Sequence, residues 1–365
     1  MSTDTGTGTK KGTETGTDSR VVERFEAIKR RRRVRWIGYG ILVGVLGYLF
    51  LSALTSVEWF TTNKQYGTFA RRATDFFPFL LTEPPFFDPS GFLEYTSYIH
   101  ERNLLYDKEL LGQYPSPLGD PLGFLLSIPS LLLAIFVSEG GPLPFFGEAG
   151  TTLSMAVAGT VMGFPFALLF GILGSERVTP FPFNFIFRGT MSTIRAIPAL
   201  VWILIFIPLA GIGPVTATIA IAVDTIGNLG RLFVDELEEI EDGPIEAMKT
   251  TGASRRQTIT FGMLSQVHTP FIAWTLYIFE INVRIAVSLG IVGGGGLGQV
   301  LEVQMGLFAY TNAMATILVI LVMIISVEMF SQRIRARLRA DDTEPMGLWE
   351  LLKGFPKRMA RSLAK

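Results

Sequence analysis

The chain has 365 residues, of which 48% are hydrophobic and only 18% are charged, and its formal net charge is zero. A soluble domain carries about a quarter charged residues, so the composition favours burial in a lipid bilayer, and nothing in the charge points to nucleic acid as a partner. The absence of Cys excludes disulfides and thiolate metal sites, and two His residues far apart in sequence give no reason to expect a metal site.

The amino-terminal 35 residues are polar and end in a cluster of arginines. Residues 1–20 alternate Thr, Gly, Lys, Asp and Glu and offer almost nothing that could form a core. A segment of this composition cannot bury enough apolar surface to offset the entropy lost on ordering. We therefore predict a disordered basic tail over residues 1–35.

Six apolar stretches are long enough to cross a bilayer, because a spanning helix needs about 20 residues. In chain order they are Trp36–Leu54, Gly150–Leu173, Thr190–Ala210, Pro214–Gly230, Val267–Leu289 and Thr311–Phe330. Small residues recur four apart, as in Gly159 and Gly163; this spacing allows close helix packing, although it also arises incidentally in Gly-rich sequence. The predicted fold is an all-α membrane protein with six transmembrane helices.

Basic residues beside short loops indicate which side of the membrane a loop occupies. Arginines at positions 30–33 and 35 precede the first span, and others follow the last span at positions 333, 335, 337 and 339. Both termini, including the tail at 333–365, are therefore predicted to lie on the cytoplasmic side of the plasma membrane. Six spans satisfy both ends and place the loop with Lys249, Arg255 and Arg256 in the cytoplasm.

Residues 55–149 form a long insert between the first two spans. The insert is rich in Pro and Phe, and its apolar segment Leu122–Val137 is shorter than a span and contains Pro129. If this segment crossed the membrane alone, the cytoplasmic loop would be inverted. We therefore predict an interfacial or re-entrant helix in an insert on the outer face, although a pair of additional spans would also preserve the orientation.

A cytoplasmic loop at residues 235–265 carries the most informative motif. After an acidic run, Gly243-Pro244 predicts a helix from Ile245, because Pro is favoured in the first turn of a helix. Glu246 would then lie in the first turn, where its charge suits the helix dipole, and Gly252 is placed to end the helix. Two short helices joined at this glycine would form a compact knob.

This loop resembles the coupling loop of ABC importer permeases, whose signature is Glu-Ala-Ala, three residues and Gly, followed later by Ile-x-Leu-Pro. The matching positions are Glu246, Ala247, Gly252 and Leu264. The second Ala, the Ile and the Pro are replaced by Met248, Gly262 and Ser265. The resemblance implies that an ATP-binding partner subunit docks on the coupling residues Glu246, Ala247, Gly252 and Ala253.

Sequences around the third to fifth spans look like the phosphonate/phosphite permease subfamily. They are Arg195–Pro198, Gly211–Pro214, Gly227–Arg231, Tyr277–Ala286 and Gly290–Gln299. The resemblance covers residues 150–339, although Asp224 stands where close relatives have His. It implies a type I importer core at 150–332 that forms a homodimer, is driven by a partner ATPase and receives phosphonate or a related oxyanion from an extracytoplasmic substrate-binding protein.

Two polar residues in the fifth span suggest an ion pair or a contact with cargo. A charge inside a span costs about 2.5–3.5 kcal/mol, so it usually faces the interior of the bundle. Glu280 and Arg284 are four residues apart on one helix face and could pair to fix the packing. Alternatively, Arg284 faces the translocation path and offers its charge to an oxyanion. Asn282 points to a different side of the helix.

The fourth span carries a second polar stripe at Asp224 and Asn228, and Arg195 is expected at the cytoplasmic start of the third span. Together these side chains could line a polar lumen in an assembled dimer. The predicted path or polar network comprises Arg195, Asp224, Asn228, Glu280, Asn282 and Arg284.

A run of glycines ends the fifth span on the predicted outer side: Gly293, Gly294, Gly295 and Gly296. We interpret it as a flexible outer gate or a tight turn, since similar turns occur in methionine and glycine-betaine permeases. The chain has no Gly-Lys dipeptide and therefore no Walker A phosphate loop, so ATP must be hydrolysed by a partner.

Two alternatives remain open. The first is an ABC permease for another small solute, such as methionine, glycine betaine or an inorganic oxyanion. The second is an ion-coupled secondary transporter or channel, a class that often shows internal repeats, and no clear repeat is visible here. No nucleophile–base–carboxylate set is visible either, so we expect neither catalytic residues nor a cofactor.

Overall fold

The computed structural model describes residues 15–57, 73–79, 88–116, 119–137 and 143–339, and within these ranges the regular secondary structure is helical. Residues 1–69 and 70–365 form two separate compact units. Parts of both predicted tails, residues 1–14 and 340–365, lie outside the described residues.

The first unit contains the long helix α1, Thr15–Ser56. Its part Lys29–Ser56 is apolar and long enough to cross a membrane, in agreement with the predicted first span. The prediction of disorder is wrong for residues 15–35, which are helical. Arg, Lys, Glu and Ala dominate the second half of that segment and favour helix formation, so the helix extends well before the apolar run.

The second unit begins with the helices of the insert, which are α2 (Gly91–Glu101), α3 (Lys108–Leu111) and α4 (Pro121–Val137). The core follows with α5 (Gly147–Gly174), α6 (Phe183–Ala196), α7 (Ala199–Ala210), α8 (Pro214–Glu239), α9 (Asp242–Thr250), α10 (Leu264–Leu289), α11 (Gly296–Gly306) and α12 (Tyr310–Arg339). A helical turn at Arg255–Gln257 and a π-helical segment at Thr258–Met263 lead into α10, and a π-helical turn at Gly290–Gly294 follows it.

Five helical segments of the described ranges are long and apolar enough to cross a membrane, and α6 with α7 provides a sixth if the pair counts as one span. The five segments are Lys29–Ser56, Pro144–Gly174, Pro214–Glu239, Arg255–Gly294 and Tyr310–Leu338. They contain five of the six predicted spans, and most extend beyond the apolar run because the helices continue through polar residues at their ends.

The third predicted span, Thr190–Ala210, is not one straight helix. The axes of α6 and α7 differ in direction by 93°. Pro198 disfavours a helical conformation at the residue before it, and Ile197 is extended, with ψ of 117°. With 12 residues, or about 18 Å at 1.5 Å per residue, α7 is too short to cross the hydrocarbon layer alone.

The core is built on the close packing of α5 against α8. A Cβ atom added at Gly159 would lie 2.5 Å from Ile221 Cγ2, and one at Gly163 would lie 2.6 Å from the Ala222 carbonyl oxygen. Because lipid provides no hydrophobic drive between helices, such close backbone approach stabilises the pair by packing. The small-residue spacing read from the sequence is therefore used in this helix.

The insert packs against the amino-terminal end of α12. Phe79 stacks on Phe92 with 4.5 Å between ring centroids, and Phe76 lies 4.8 Å from Tyr310. The predicted helix at Leu122–Val137 is confirmed as α4, and its position relative to the membrane remains a prediction.

Candidate functional site

The loop predicted at 235–265 begins later in the structure than the sequence indicates. Its acidic run continues α8 as far as Glu239, and α9 begins at Asp242, before the predicted start at Ile245. Pro244 therefore lies in the first turn of α9, where its missing N–H leaves no helical hydrogen bond unmade.

Gly252 ends α9, as the sequence predicts. Its N–H donates to the Lys249 carbonyl at 3.1 Å, and the Ala253 N–H donates to the Met248 carbonyl, also at 3.1 Å. These two bonds define a Schellman motif, in which the residue after the cap is left-handed. Gly252 has φ of +80°, a conformation that costs a residue with a side chain more than it costs glycine.

One face of α9 is anchored and the other is exposed. Ile245 is buried in an apolar cluster that includes Ile240 and Met263. Glu246 and Ala247 are exposed, and so is Gly252 beyond the end of the helix. The residues that match the coupling signature are thus presented at the surface of a knob whose base is fixed.

Two departures from that signature compensate each other in space. A Cβ atom added at Gly262 would lie 2.9 Å from Met248 Sδ. Met248 stands where a small Ala is usual, and Gly262 stands where a large Ile is usual. The longer side chain at position 248 therefore fills space that the missing side chain at position 262 leaves, and the knob still packs against the lead-in to α10.

A group of charges that sequence analysis did not single out ties this knob to the end of α5. Arg177 pairs with Asp242 at 2.5 Å and donates to the Glu238 carbonyl at 3.0 Å. Arg188 pairs with the Glu238 carboxylate and donates to the Gly174 carbonyl at 2.7 Å. From the sequence alone, Arg177 and Arg188 indicate only on which side of the membrane their loop lies. Their ion pairs could not be predicted, because the acidic partners are far away along the chain.

Asn282 lies where α5, α8 and α10 meet. It is fully buried, and its Nδ2 donates to Thr160 Oγ1 and to Thr225 Oγ1, both at 2.8 Å. Thr160 and Thr225 are near the middle of their helices, so Asn282 lies near the mid-depth of the bundle. Asn282 thus belongs to a polar network, and the two threonines are members that sequence analysis missed.

Glu280 and Arg284 do not pair with each other, contrary to one of the two predicted readings. Glu280 Oε1 accepts a hydrogen bond from Arg335 Nη2 at 2.6 Å. Arg284 Nη2 lies 3.4 Å from Glu328 Oε2. Both partners belong to α12, which carries complementary charges at the same level, so tertiary contacts prevail over the weak attraction within one helix.

The two ion pairs differ in exposure. The side chains of Glu280 and Arg335 are 9% and 18% exposed, whereas those of Arg284 and Glu328 are 52% and 40% exposed. Arg284 is two residues beyond Asn282, which is about 3 Å along the helix axis and about 200° around it. It therefore lies near mid-depth, on the side of α10 that faces away from the buried amide.

The polar residues of the fourth span, Asp224 and Asn228 of α8, lie beside the bend between α6 and α7. Asn228 Nδ2 donates to Asp224 Oδ2 at 2.9 Å, and Asp224 is buried. Arg195, in the last turn of α6, has its Cγ 3.0 Å from the position of a Cβ atom added at Gly227, which lies one residue before Asn228. This group contacts α6, whereas the ion pairs of α10 contact α12, so the predicted residues form separate groups within this chain.

The glycine run forms a tight turn. Gly293, Gly295 and Gly296 have φ of +95°, +94° and +67°. A Cβ atom added at Gly295 would lie 2.9 Å from Pro214 Cγ, and one at Gly296 would clash with Thr152. The turn holds the end of α10 against the starts of α5 and α8, so the glycines do form a tight turn, and their role as an outer gate stays a prediction.

Comparison with known proteins gives the following similarities. The family model described as binding-protein-dependent transport system inner membrane component matches residues 163–340. A protein of Stutzerimonas stutzeri that is named as a phosphite transport system permease is 32% identical over 188 residues, which cover 51% of this chain and 67% of that protein.

Two further relatives are named for other phosphorus compounds. The phosphate-import permease protein of Mycolicibacterium smegmatis is 34% identical over 194 residues, which cover 53% of this chain and 36% of that protein. A protein of Escherichia coli that is named as a cryptic phosphonate transport system permease is 37% identical over 117 residues, which cover 32% of this chain and 96% of that protein.

Proposed function

Because this chain belongs to the phosphonate/phosphite permease family of ABC transporters, we propose that it forms the translocation path for phosphonate or a related phosphorus oxyanion. As a family member it is a multi-pass, all-α membrane protein of the type I importer kind. Its role is that of a permease subunit and not of an enzyme.

The observation that carries the cargo path is the exposure of Arg284 near mid-depth. Its side chain is 52% exposed in the protomer, two residues from the buried Asn282. A charge at that depth is too costly to leave facing lipid. The exposed face of α10 therefore borders water, and a guanidinium that borders water in a membrane protein is suited to a passing oxyanion.

An aqueous path of this kind needs a second protein surface to enclose it. The half-exposed charges of Arg284 and Glu328 lie on one side of α10 and α12, and one protomer leaves that side open. A second copy related by two-fold symmetry encloses the path and separates these charges from lipid. The chain therefore works as a homodimer.

The energy comes from a partner ATPase that docks on the exposed surface of α9. Glu246, Ala247 and Gly252 form that surface, with Ala253 beside them. Arg177, just after α5, pairs with Asp242 at the start of α9, and Arg188 of α6 pairs with Glu238 at the end of α8. A displacement of the knob is therefore transmitted through these contacts to the helices of the core. Two packed arrangements of these helices provide the inward-facing and outward-facing states.

The remaining predicted parts fit the same arrangement. In the proposed orientation the arginines at positions 30–33 and 35 lie on the cytoplasmic side, where positive charge beside a span is favoured, and both termini are cytoplasmic. The insert at 55–149 and the turn at Gly293–Gly296 then lie at the outer face, where a substrate-binding protein delivers cargo and the turn acts as an outer gate. Arg195, Asp224 and Asn228 provide a second polar surface at the bend of α6 and α7.

The test is uptake of labelled methylphosphonate, phosphite and inorganic phosphate by cells that express the complete transport system and lack other carriers for these anions. The wild-type chain is compared with Gly252→Asp and with Gly243→Asp, the same change at a glycine of α9 that has open space around it. We expect uptake of one or more of the anions, its loss in Gly252→Asp, and its retention in Gly243→Asp.

Membrane content of each variant is measured in parallel. Uptake by Gly252→Asp at the wild-type rate would contradict the coupling role of the knob. Wild-type cells that take up none of the three anions would contradict the cargo, and uptake that persists without the ATPase would identify an ion-coupled transporter instead.

A further inference from the structure

We propose that Glu328 is a built-in competitor of the cargo: it occupies Arg284 between transport events and displaces the oxyanion from this arginine so that cargo can leave. This assignment rests on the proposed function, since it requires that an anion passes Arg284. It adds a residue of α12 to the path and gives that residue a task distinct from packing.

The contact between Arg284 and Glu328 is suited to exchange. It consists of one approach of 3.4 Å, from Nη2 to Oε2, between two half-exposed side chains. A guanidinium has five N–H donors in a fork that fits two oxygens of a phosphoryl or phosphonyl group. Glu328 makes only one long contact with the guanidinium. An anion whose two oxygens fit the remaining N–H donors can therefore bind to Arg284.

Glu328 also has a place to go when it releases Arg284. Its other oxygen, Oε1, accepts a hydrogen bond at 3.1 Å from Nε2 of Gln332, one turn further along α12. The carboxylate can keep this bond while cargo occupies the guanidinium. Release therefore leaves neither side chain without a partner, which keeps the two states close in energy.

The neighbouring ion pair, Glu280–Arg335, is not suited to exchange with an anion. Arg335 holds Glu280 at 2.6 Å, and both side chains are nearly buried. An anion cannot reach Arg335 without first breaking this bond and entering a packed interface. Of the two arginines that link α10 and α12, only Arg284 is placed to meet cargo.

A competitor is needed because conduction requires release. An arginine in the path with no acidic neighbour would hold an oxyanion through several charge-assisted hydrogen bonds and would release it slowly. A carboxylate tethered beside it has the same charge as the cargo and returns at high local concentration. Removing that carboxylate should thus strengthen retention of the anion and slow its passage.

The experiment uses the complete transporter in nanodiscs and in proteoliposomes, with labelled methylphosphonate, phosphite and inorganic phosphate as probes. Retention is measured by equilibrium dialysis on the permease–ATPase complex without binding protein, and transport is measured as ATP-dependent uptake with it. Glu328→Gln is compared with wild type and with Glu302→Gln, which changes an exposed glutamate of α11.

We expect Glu328→Gln to retain the transported anion about tenfold more strongly than wild type and to take it up about tenfold more slowly. Adding Arg284→Gln should abolish the extra retention, and Glu302→Gln should match wild type in both measurements. Glu328→Asp, which keeps the charge but withdraws it, should fall between wild type and Glu328→Gln.

Three results would overturn the competitor role. They are retention and uptake equal to wild type in Glu328→Gln, slower uptake with no gain in retention, and failure of both Glu328 variants to assemble, which would make Glu328 a packing residue. If the wild-type transporter moves none of the three anions, the proposed cargo itself is wrong, and that result does not involve Glu328.

Discussion

Two ion pairs join α10 to α12, and their different surroundings assign them different tasks. Glu280–Arg335 is short and nearly buried, whereas Arg284–Glu328 is longer and half-exposed. Each pair consists of one arginine and one glutamate, and each links α10 to α12. Exposure and contact length, and not residue type, therefore separate a pair that stabilises the helix packing from a pair that can open to an anion.

The largest effect on stability is expected from breaking the buried pair. Glu280→Gln leaves the mostly buried Arg335 charge without a carboxylate, which costs about 3–5 kcal/mol in comparable buried pairs. The measurement is the unfolding midpoint of the purified permease and the fraction that remains monodisperse. The double variant Glu280→Met with Arg335→Met should recover most of the loss, because it leaves no unpaired charge. If Glu280→Gln were as stable as wild type, the buried pair would not stabilise the helix packing, and the two ion pairs would not differ in the way described.

An intermediate effect on stability is expected from removing one hydrogen bond of the polar network around Asn282. Thr225→Val removes one of the two oxygens that accept hydrogen bonds from the fully buried Asn282, at a cost of about 1–3 kcal/mol. Thr218→Val is the matched control, because Thr218 of α8 also donates to a carbonyl one turn earlier. Equal unfolding midpoints for the two variants would show that the Asn282 bond does not stabilise the bundle.

The smallest effect on stability is expected at the exposed pair. Arg284→Gln should lower the free energy of unfolding by about 1 kcal/mol or less, as for other exposed pairs. Its uptake of the transported anion should nevertheless fall by about tenfold or more, because the path loses its positive charge. A stability loss as large as that of Glu280→Gln, with assembly impaired, would instead assign Arg284 to packing.

The spans and the coupling knob could be predicted because they depend on local sequence. Hydropathy located all six apolar segments, and the position of Gly252 after a short helix predicted its end. The bend at Ile197 was missed because an averaged apolar window does not register the conformational restriction that Pro198 places on the residue before it.

The partners of the charged residues could not be predicted, because they depend on which helices meet and at what level. The four-residue spacing of Glu280 and Arg284 suggested a pair within one helix, but α12 supplies closer partners at Glu328 and Arg335. The helix at residues 15–35 was missed for a different reason. The Thr- and Gly-rich start outweighed the helix-favouring residues that follow it.

The most direct test of the account is whether the exposed face of α10 borders water in the assembled transporter. The chain contains no Cys, so a single introduced cysteine is the only thiol in this subunit. Ser288→Cys lies one turn from Arg284 on the exposed face, and Val161→Cys lies beside Thr160 near mid-depth, where Val161 is 65% exposed among apolar residues of α5.

With the partner ATPase made free of reactive thiols, each variant is treated with a charged, membrane-impermeant thiol reagent in inverted and right-side-out vesicles. We predict rapid labelling of Ser288→Cys from at least one side and little labelling of Val161→Cys. Equally slow labelling of both would place Arg284 away from any aqueous path and contradict the account.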